Sequence, residues 1–177
     1  MRARSAVADN FYMGKTLRIG IAALALAALA PSTTSLAANG TTCWTSTKSE
    51  LGFASKMNNS RSARDLGSMR LDPELSRVAR VHTREMLRSK SLFHTPMTKL
   101  TRRVTNWVTI GENVGEGETV RSLHRAFMAS PTHRLNILDK TFNHVGVGTA
   151  RAGGKLWVTV VFEARTDPGT TLAMPRC

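Results

Sequence analysis

The stretch from Asn143 to Arg165, NHVGVGTARAGGKLWVTVVFEAR, decides what kind of fold this chain can adopt. Residues 143–151 and 155–165 are β-prone runs on either side of Gly153 and Gly154, a pair suited to a hairpin turn. The second run is apolar on both faces from Trp157 to Phe162, save Thr159. A strand apolar on both faces has to be covered on both, so it is expected at the centre of a sheet with helices above and below.

The rest of the chain supplies the helices. In LDPELSRVARVHTREMLRSK, residues 71–90, Asp72 is a helix cap and Pro73 suits the first helical position. At 100° per residue Leu75, Val78, Ala79, His82 and Met86 share one side, while Arg77, Arg80, Arg84 and Arg88 fall almost opposite. The helix therefore has a core face and a basic face, with His82 expected as a core histidine satisfied by one hydrogen bond. An earlier amphipathic helix is expected from Ser49 to Leu66, ended by Gly67. A later one runs from Thr119 to Ser130 with Val120, Leu123, Phe127 and Met128 inward. Within FMASPTHRLNIL, residues 127–138, Ser130 is a good N-cap and Pro131 opens a further helix, which puts His133 in its first turn. An imidazole near the unpaired N–H groups of a helix start tends to stay neutral, able to ligate a metal or hydrogen-bond a ligand. Trp107 to Ile110 is expected as a short strand and Gly111 to Gly117 as a loop.

The chain does not begin as a domain. Leu17 to Ala30, LRIGIAALALAALA, is led by Lys15 and Arg18 and followed by STTSLAA, the pattern of a secretory signal peptide. Residues 1–37 are assigned to it, with Met13 as a candidate initiator, and residues 38–47 to an N-terminal arm. Export to the periplasm or the exterior follows. Loss of residues 1–37 removes four basic residues and one acidic residue, so the net charge falls from +13 to +10. About 140 residues then remain, enough for one packed core. Cys43 and Cys177 are an even pair in an exported chain and are expected to form a disulfide that clips the two ends. So basic an exported domain suits an anionic lipid or envelope polymer, with the arginine face as the candidate surface. No aromatic residues interleave with those arginines, which argues against nucleic acid.

Three short motifs stand in order: LFHT at 92–95, GENV at 111–114 and SPTHRLNIL at 130–138, followed by HVGVG at 144–148. Together they resemble the CAP superfamily, the cysteine-rich secretory, antigen 5 and pathogenesis-related proteins, and most of all its short bacterial secreted branch. The resemblance covers about residues 48–165, and the domain is assigned to 48–166 with a tail at 167–177. It implies an α+β fold, a three-layer α-β-α sandwich around a central antiparallel sheet. It also implies a cleft lined by two histidines and two acidic residues. Carried over, these positions are His94, Glu112 and His133. At the fourth, where eukaryotic members place a glutamate three residues after a tryptophan, this chain has Ser130 after Phe127.

Two neutral imidazoles and water, with Glu112 behind them, describe an incomplete zinc site in which His94 and His133 are the ligands. Arg134 and Asn136 are expected to hold the surrounding loops. The leading functional expectation is a monomeric, exported, ligand-binding module for a lipid, a sterol or an anionic envelope component. The competing expectation is a metal- or serine-dependent hydrolase or peptidase, since Ser130, a histidine and Glu112 are the residue types of a nucleophile, base and orienter. Against it stand the capping role expected of the Ser130 hydroxyl and the lack of a G-x-S-x-G or HExxH motif.

Overall fold

A computed structural model of the protein describes residues 13–14, 44–166 and 169–172. Cys43 and Cys177, and the signal-peptide assignment apart from residues 13–14, lie outside the described residues. The elements in chain order are β1 (Met13–Gly14), α1 (Lys48–Ser62), β2 (Arg70–Leu71), α2 (Pro73–Ser89), α3 (Met97–Arg103), β3 (Val104–Thr105), β4 (Thr109–Gly117), α4 (Val120–Ala129), α5 (Pro131–Leu138), β5 (His144–Ala152), β6 (Lys155–Ala164) and β7 (Gly169–Thr170).

The main sheet has the order β1-β4-β6-β5-β2, and β3 pairs with β7 separately. β6 is indeed central: it pairs antiparallel with β4 from Thr109↔Ala164 to Gly117↔Leu156, and with β5 from His144↔Glu163 to Ala152↔Lys155. The short edge strand β2 runs parallel to β5, a departure from an all-antiparallel sheet. Helix α2 covers one face; α1, α4 and α5 cover the other. The second face holds the larger core, in which Phe53, Met57, Leu123, Phe127, Ile137 and Phe142 pack on alternate residues of β5 and β6. Mixed α+β architecture in three layers is the result.

Helix α2 approaches the sheet without a layer of side chains between them at two points. A Cβ on Gly146 would overlap the backbone of Leu75, and one on Gly148 would overlap the backbone at Ala79 and Arg80. Thr83 seals the contact, its hydroxyl donating to the Gly148 carbonyl at 3.0 Å and meeting Thr159 Oγ1 at 3.0 Å.

Two helices end or point differently from expectation. α1 stops at Ser62 rather than near Leu66, because Arg61 turns inward and is only 2 % exposed. Its guanidinium donates to the carbonyls of Gly67, Ile137, Asp139 and Phe142 at 2.7–3.1 Å, so it organises the entire turn from α5 into β5. In α2, Arg80 leaves the basic face: it donates to buried Glu50 at 2.6 Å and lies 3.8 Å from the centre of the Trp44 ring, tying down the N-terminal arm. Glu50 also closes a capping box with Thr47 at the start of α1.

Candidate functional site

The segment GENVGEG is strand β4, not the loop its glycines suggest. Strand pairing survives because each glycine makes room on the helical face and each polar residue finds a partner. A Cβ on Gly115 would come within 2.8 Å of the Phe127 ring, and one on Gly117 within 2.9 Å of Leu123. The glycines therefore let α4 sit close to the sheet, while Glu112, Asn113 and Glu116 carry the polar bonds.

Glu112 faces the α2 side and is 3 % exposed. Its carboxylate accepts three hydrogen bonds, from His94 Nδ1 at 2.9 Å, the Thr95 backbone N–H at 2.9 Å and the Thr95 hydroxyl at 2.7 Å. A carboxylate only accepts, so His94 carries its proton on Nδ1 and presents Nε2 as its other nitrogen. The loop bearing His94 is itself anchored: His82, fully buried, holds the Phe93 carbonyl through Nε2 at 2.7 Å. On its other side His82 Nδ1 lies 3.3 Å from Glu85, so this core histidine makes two polar contacts rather than one. Lys99 and Arg103 of α3 bind Glu85 at 2.8 and 2.7 Å. Despite the opposing effect of burial, those bonds hold the Glu85 carboxyl down at about 2. Helix α3 and this brace went unread in the sequence, where residues 91–117 show little periodicity.

The other wall comes from α5. His133 is 2 % exposed and stacks on Phe127, ring centres 4.8 Å apart at 11°. The Phe127 that stands in place of a tryptophan thus still supports the histidine as a flat platform. His133 Nδ1 lies 2.8 Å from Ser130 Oγ, and its Nε2 is buried without a side-chain partner. Burial above all, and then the neighbouring His94, lower the pKa of His133, with the Val114 backbone acting the other way. The imidazole is neutral at ordinary pH, and burial rather than the helix start is the main cause.

Ser130 is at the N-cap position of α5, but its side chain makes no capping bond. The hydroxyl is engaged instead with His133, and with Thr132 Oγ1 at 3.2 Å. The buried imidazole competes with the backbone N–H groups of the first turn for the oxygen. Asn136 joins the two walls, donating to the Glu112 carbonyl at 3.2 Å and to Asn113 Oδ1 at 2.8 Å, while Asn113 donates to the His133 carbonyl at 3.0 Å. Arg134 donates to the Met128 carbonyl at 3.0 Å. The four sequence-derived positions thus form two hydrogen-bonded pairs beside β4, His94 with Glu112 and His133 with Ser130, linked through Asn113 and Asn136.

No group of three or more His, Cys, Asp or Glu side chains among the described residues could hold a metal ion. What the donor set offers a metal is two imidazoles, each with one nitrogen fixed by a neighbour, and solvent. That fits a weakly held zinc and not a closed structural site.

Comparison with known proteins agrees with this architecture. The sequence model of the family described as CAP, the cysteine-rich secretory protein family, matches residues 54–162. The uncharacterized protein YkwD of Bacillus subtilis (strain 168) is 30 % identical over 107 residues, 56 % of this chain and 41 % of that protein; the chain thus matches less than half the length of this relative. Among solved structures, an outer surface protein from Borrelia burgdorferi has a TM-score of 0.58 at 17 % identity, covering 69 % of this chain and 97 % of that one. An extracellular protein containing an SCP domain from Bacillus anthracis str. Ames has a TM-score of 0.57 at 20 % identity, covering 66 % of this chain and 40 % of that one. Likeness at such identities speaks to the fold alone.

Proposed function

The chain belongs to the CAP, or cysteine-rich secretory protein, family, and from that premise we propose that it is an exported binding module whose β4-edge cleft takes up a lipid or sterol and binds zinc. The observation that carries the reading is the paired orientation of the two imidazoles, His94 by Glu112 and His133 by Ser130. Exposed apolar residues close to the histidines in sequence, Phe93 at 36 % and Leu135 at 59 %, support the ligand class. The apolar run at 17–30 supports export.

Zinc would rest on His94 and His133, with Glu112 holding His94 and Ser130 holding His133. Calorimetric titration of zinc into the wild type, His94→Ala, His133→Ala and Glu112→Gln tests the assignment. Both histidine variants should lose binding, and Glu112→Gln should weaken it less. Binding should also be lost at acid pH, and the burial that disfavours the charged form of His133 moves that loss below the ordinary imidazole range. Undiminished affinity in both histidine variants would remove the reading.

One observation favours a second reading, a serine hydrolase. The Ser130 hydroxyl is free of capping duty and 2.8 Å from a neutral imidazole. The two readings place the proton of this contact differently. Zinc needs it on His133 Nδ1, donated to Ser130 Oγ; hydrolysis needs it on Ser130 Oγ, donated to Nδ1. Covalent labelling by a fluorophosphonate that vanishes in Ser130→Ala would favour hydrolysis.

A further inference from the structure

Three adjacent strands meet at one end of the main sheet, where β4 and β5 begin and β6 finishes. Asn106 and Val108 precede β4, Asn143 precedes β5, and Ala164, Arg165 and Thr166 close β6 and follow it. These six residues line an open cavity of about 470 Å³. It shares no residue with the cleft of His94 and His133. Glu112, behind that cleft, is three residues into β4 from Thr109, roughly 10 Å along the strand.

The polar side chains of this cavity are not spent on the fold. Asn106, Arg165 and Thr166 make no side-chain hydrogen bond or ion pair with any described residue. Asn143 is fixed from behind: its Oδ1 accepts the Arg165 backbone N–H at 3.0 Å and lies 2.8 Å from His144 Nδ1. A backbone N–H only donates, so the oxygen is the engaged atom and the amide NH2 is what Asn143 has left to offer. The same bond ties the segment that carries the Arg165 guanidinium to Asn143, so the two donors are set relative to each other. Asn106 adopts the left-handed conformation, φ 59°, which asparagine tolerates. After it Trp107 is buried and Val108 is 45 % exposed, which leaves an apolar side chain on the cavity wall with Ala164.

The lining holds one cation and no carboxylate. A guanidinium fork beside an amide NH2 calls for an acceptor that is planar and carries a single negative charge, which is a carboxylate. A neutral polyol would leave the guanidinium charge unanswered, and a phosphate dianion would outweigh it.

We propose that this cavity binds a carboxylate attached to a short apolar group, with Arg165 and Asn143 donating to the carboxylate and Val108 and Ala164 against the apolar part. A peptide C-terminus and a free short-chain acid both present that chemistry. The site is independent of the reading of the cleft, and its test involves neither zinc nor lipid.

The experiment is an NMR titration of the isotope-labelled purified chain with N-acetylalanine, butyrate, the neutral N-acetylalaninamide and inorganic phosphate. Both acids should shift the Asn143 side-chain amide and the backbone signals of Val108 and Arg165. Tighter binding of N-acetylalanine identifies a peptide end as the ligand, and tighter binding of butyrate a free acid. N-acetylalaninamide should bind at least ~10-fold more weakly than N-acetylalanine, and Arg165→Ala should weaken the acid by a similar factor. Arg165→Lys, which keeps the charge without the fork, should weaken it by roughly 3-fold. Arg121→Ala on exposed α4, an equal change of charge elsewhere, should leave it unaltered. Thermal melts confirm that each variant is folded, and Arg165→Gln replaces Arg165→Ala if that one is not. Equal binding of N-acetylalanine and its amide, or of N-acetylalanine and phosphate, would overturn the ligand class. Undiminished binding by the Arg165 variant, or no shift at Asn143 with either acid, would overturn the site.

Discussion

Glu112 and Glu163 lie on neighbouring strands, on the same face of one sheet, and are buried to 3 % and 0 % exposure. Glu112 accepts three hydrogen bonds from a histidine, a backbone N–H and a hydroxyl. Neither oxygen of Glu163 has a hydrogen-bond partner among the described residues. Burial, Asp72 and Glu74 raise its carboxyl to about 7 against a counter-effect of Arg165, so it spends much of the ordinary pH range as a neutral acid. Burial alone thus does not decide how a carboxyl behaves; the donors that arrive with it do. On β4 this face of the sheet is built around a fully hydrogen-bonded carboxyl, and on β6, two residues away in register, around an unpartnered one.

The sharpest way to expose the difference is pH. A carboxyl whose folded pKa is raised binds its proton more tightly in the folded state. Stability is therefore highest below the unfolded value near 4.5 and falls as the pH climbs to about 7. That window corresponds to on the order of 3 kcal/mol. Denaturant titrations of the wild type should show this decline between pH 4.5 and 7, and Glu163→Gln should flatten it. A wild-type curve as flat as the variant's would erase the contrast between the two glutamates.

At Glu112 the same substitution should act in the opposite direction. Glu112→Gln turns an amide NH2 toward donors that need an acceptor, and should cost about 2 kcal/mol of stability at pH 7, where Glu163→Gln costs nothing. Thr95→Val removes one of the three donors and should cost about 1 kcal/mol by the same measurement. The smallest effect is expected at Asp72. Asn caps a helix as well as Asp, so Asp72→Asn should leave the start of α2 intact. It should shift the midpoint of the Glu163 transition to lower pH and change stability at pH 7 by no more than about 0.5 kcal/mol. An unmoved midpoint would mean that burial alone governs Glu163.

The legibility of these regions in the sequence differed for related reasons. The β5-β6 hairpin and α2 follow from periodicity and turn residues, since each side chain there meets its environment through local spacing. β4 did not, because a strand of alternating glycine and polar residues is stable only with partners remote in sequence. His94 and Thr95 satisfy Glu112, Asn136 satisfies Asn113, and Phe127 and Leu123 fill the space over the glycines. Arg61 is similar: a polar residue at a helix end looks like surface until the turn that it organises is folded around it. For the cleft, the residue types were readable from the ordered motifs, whereas the switch of the Ser130 hydroxyl from the helix start to His133 depends on the Phe127 platform and on depth. No local pattern encodes either.

The backbone contact of α2 on β5 at Gly146 and Gly148 has a kinetic consequence. Residues near 75–80 can reach residues 146–148 only after some seventy intervening positions have closed into a loop, and without intervening side chains there is little to gain from a partial approach. Docking of this helix should therefore be a late, all-or-none step of folding, slow for a chain of this size. The Val147 amide, which donates to Ser76 Oγ at 3.1 Å inside that contact, should exchange its hydrogen only through global unfolding, and its protection should equal the full stability of the domain.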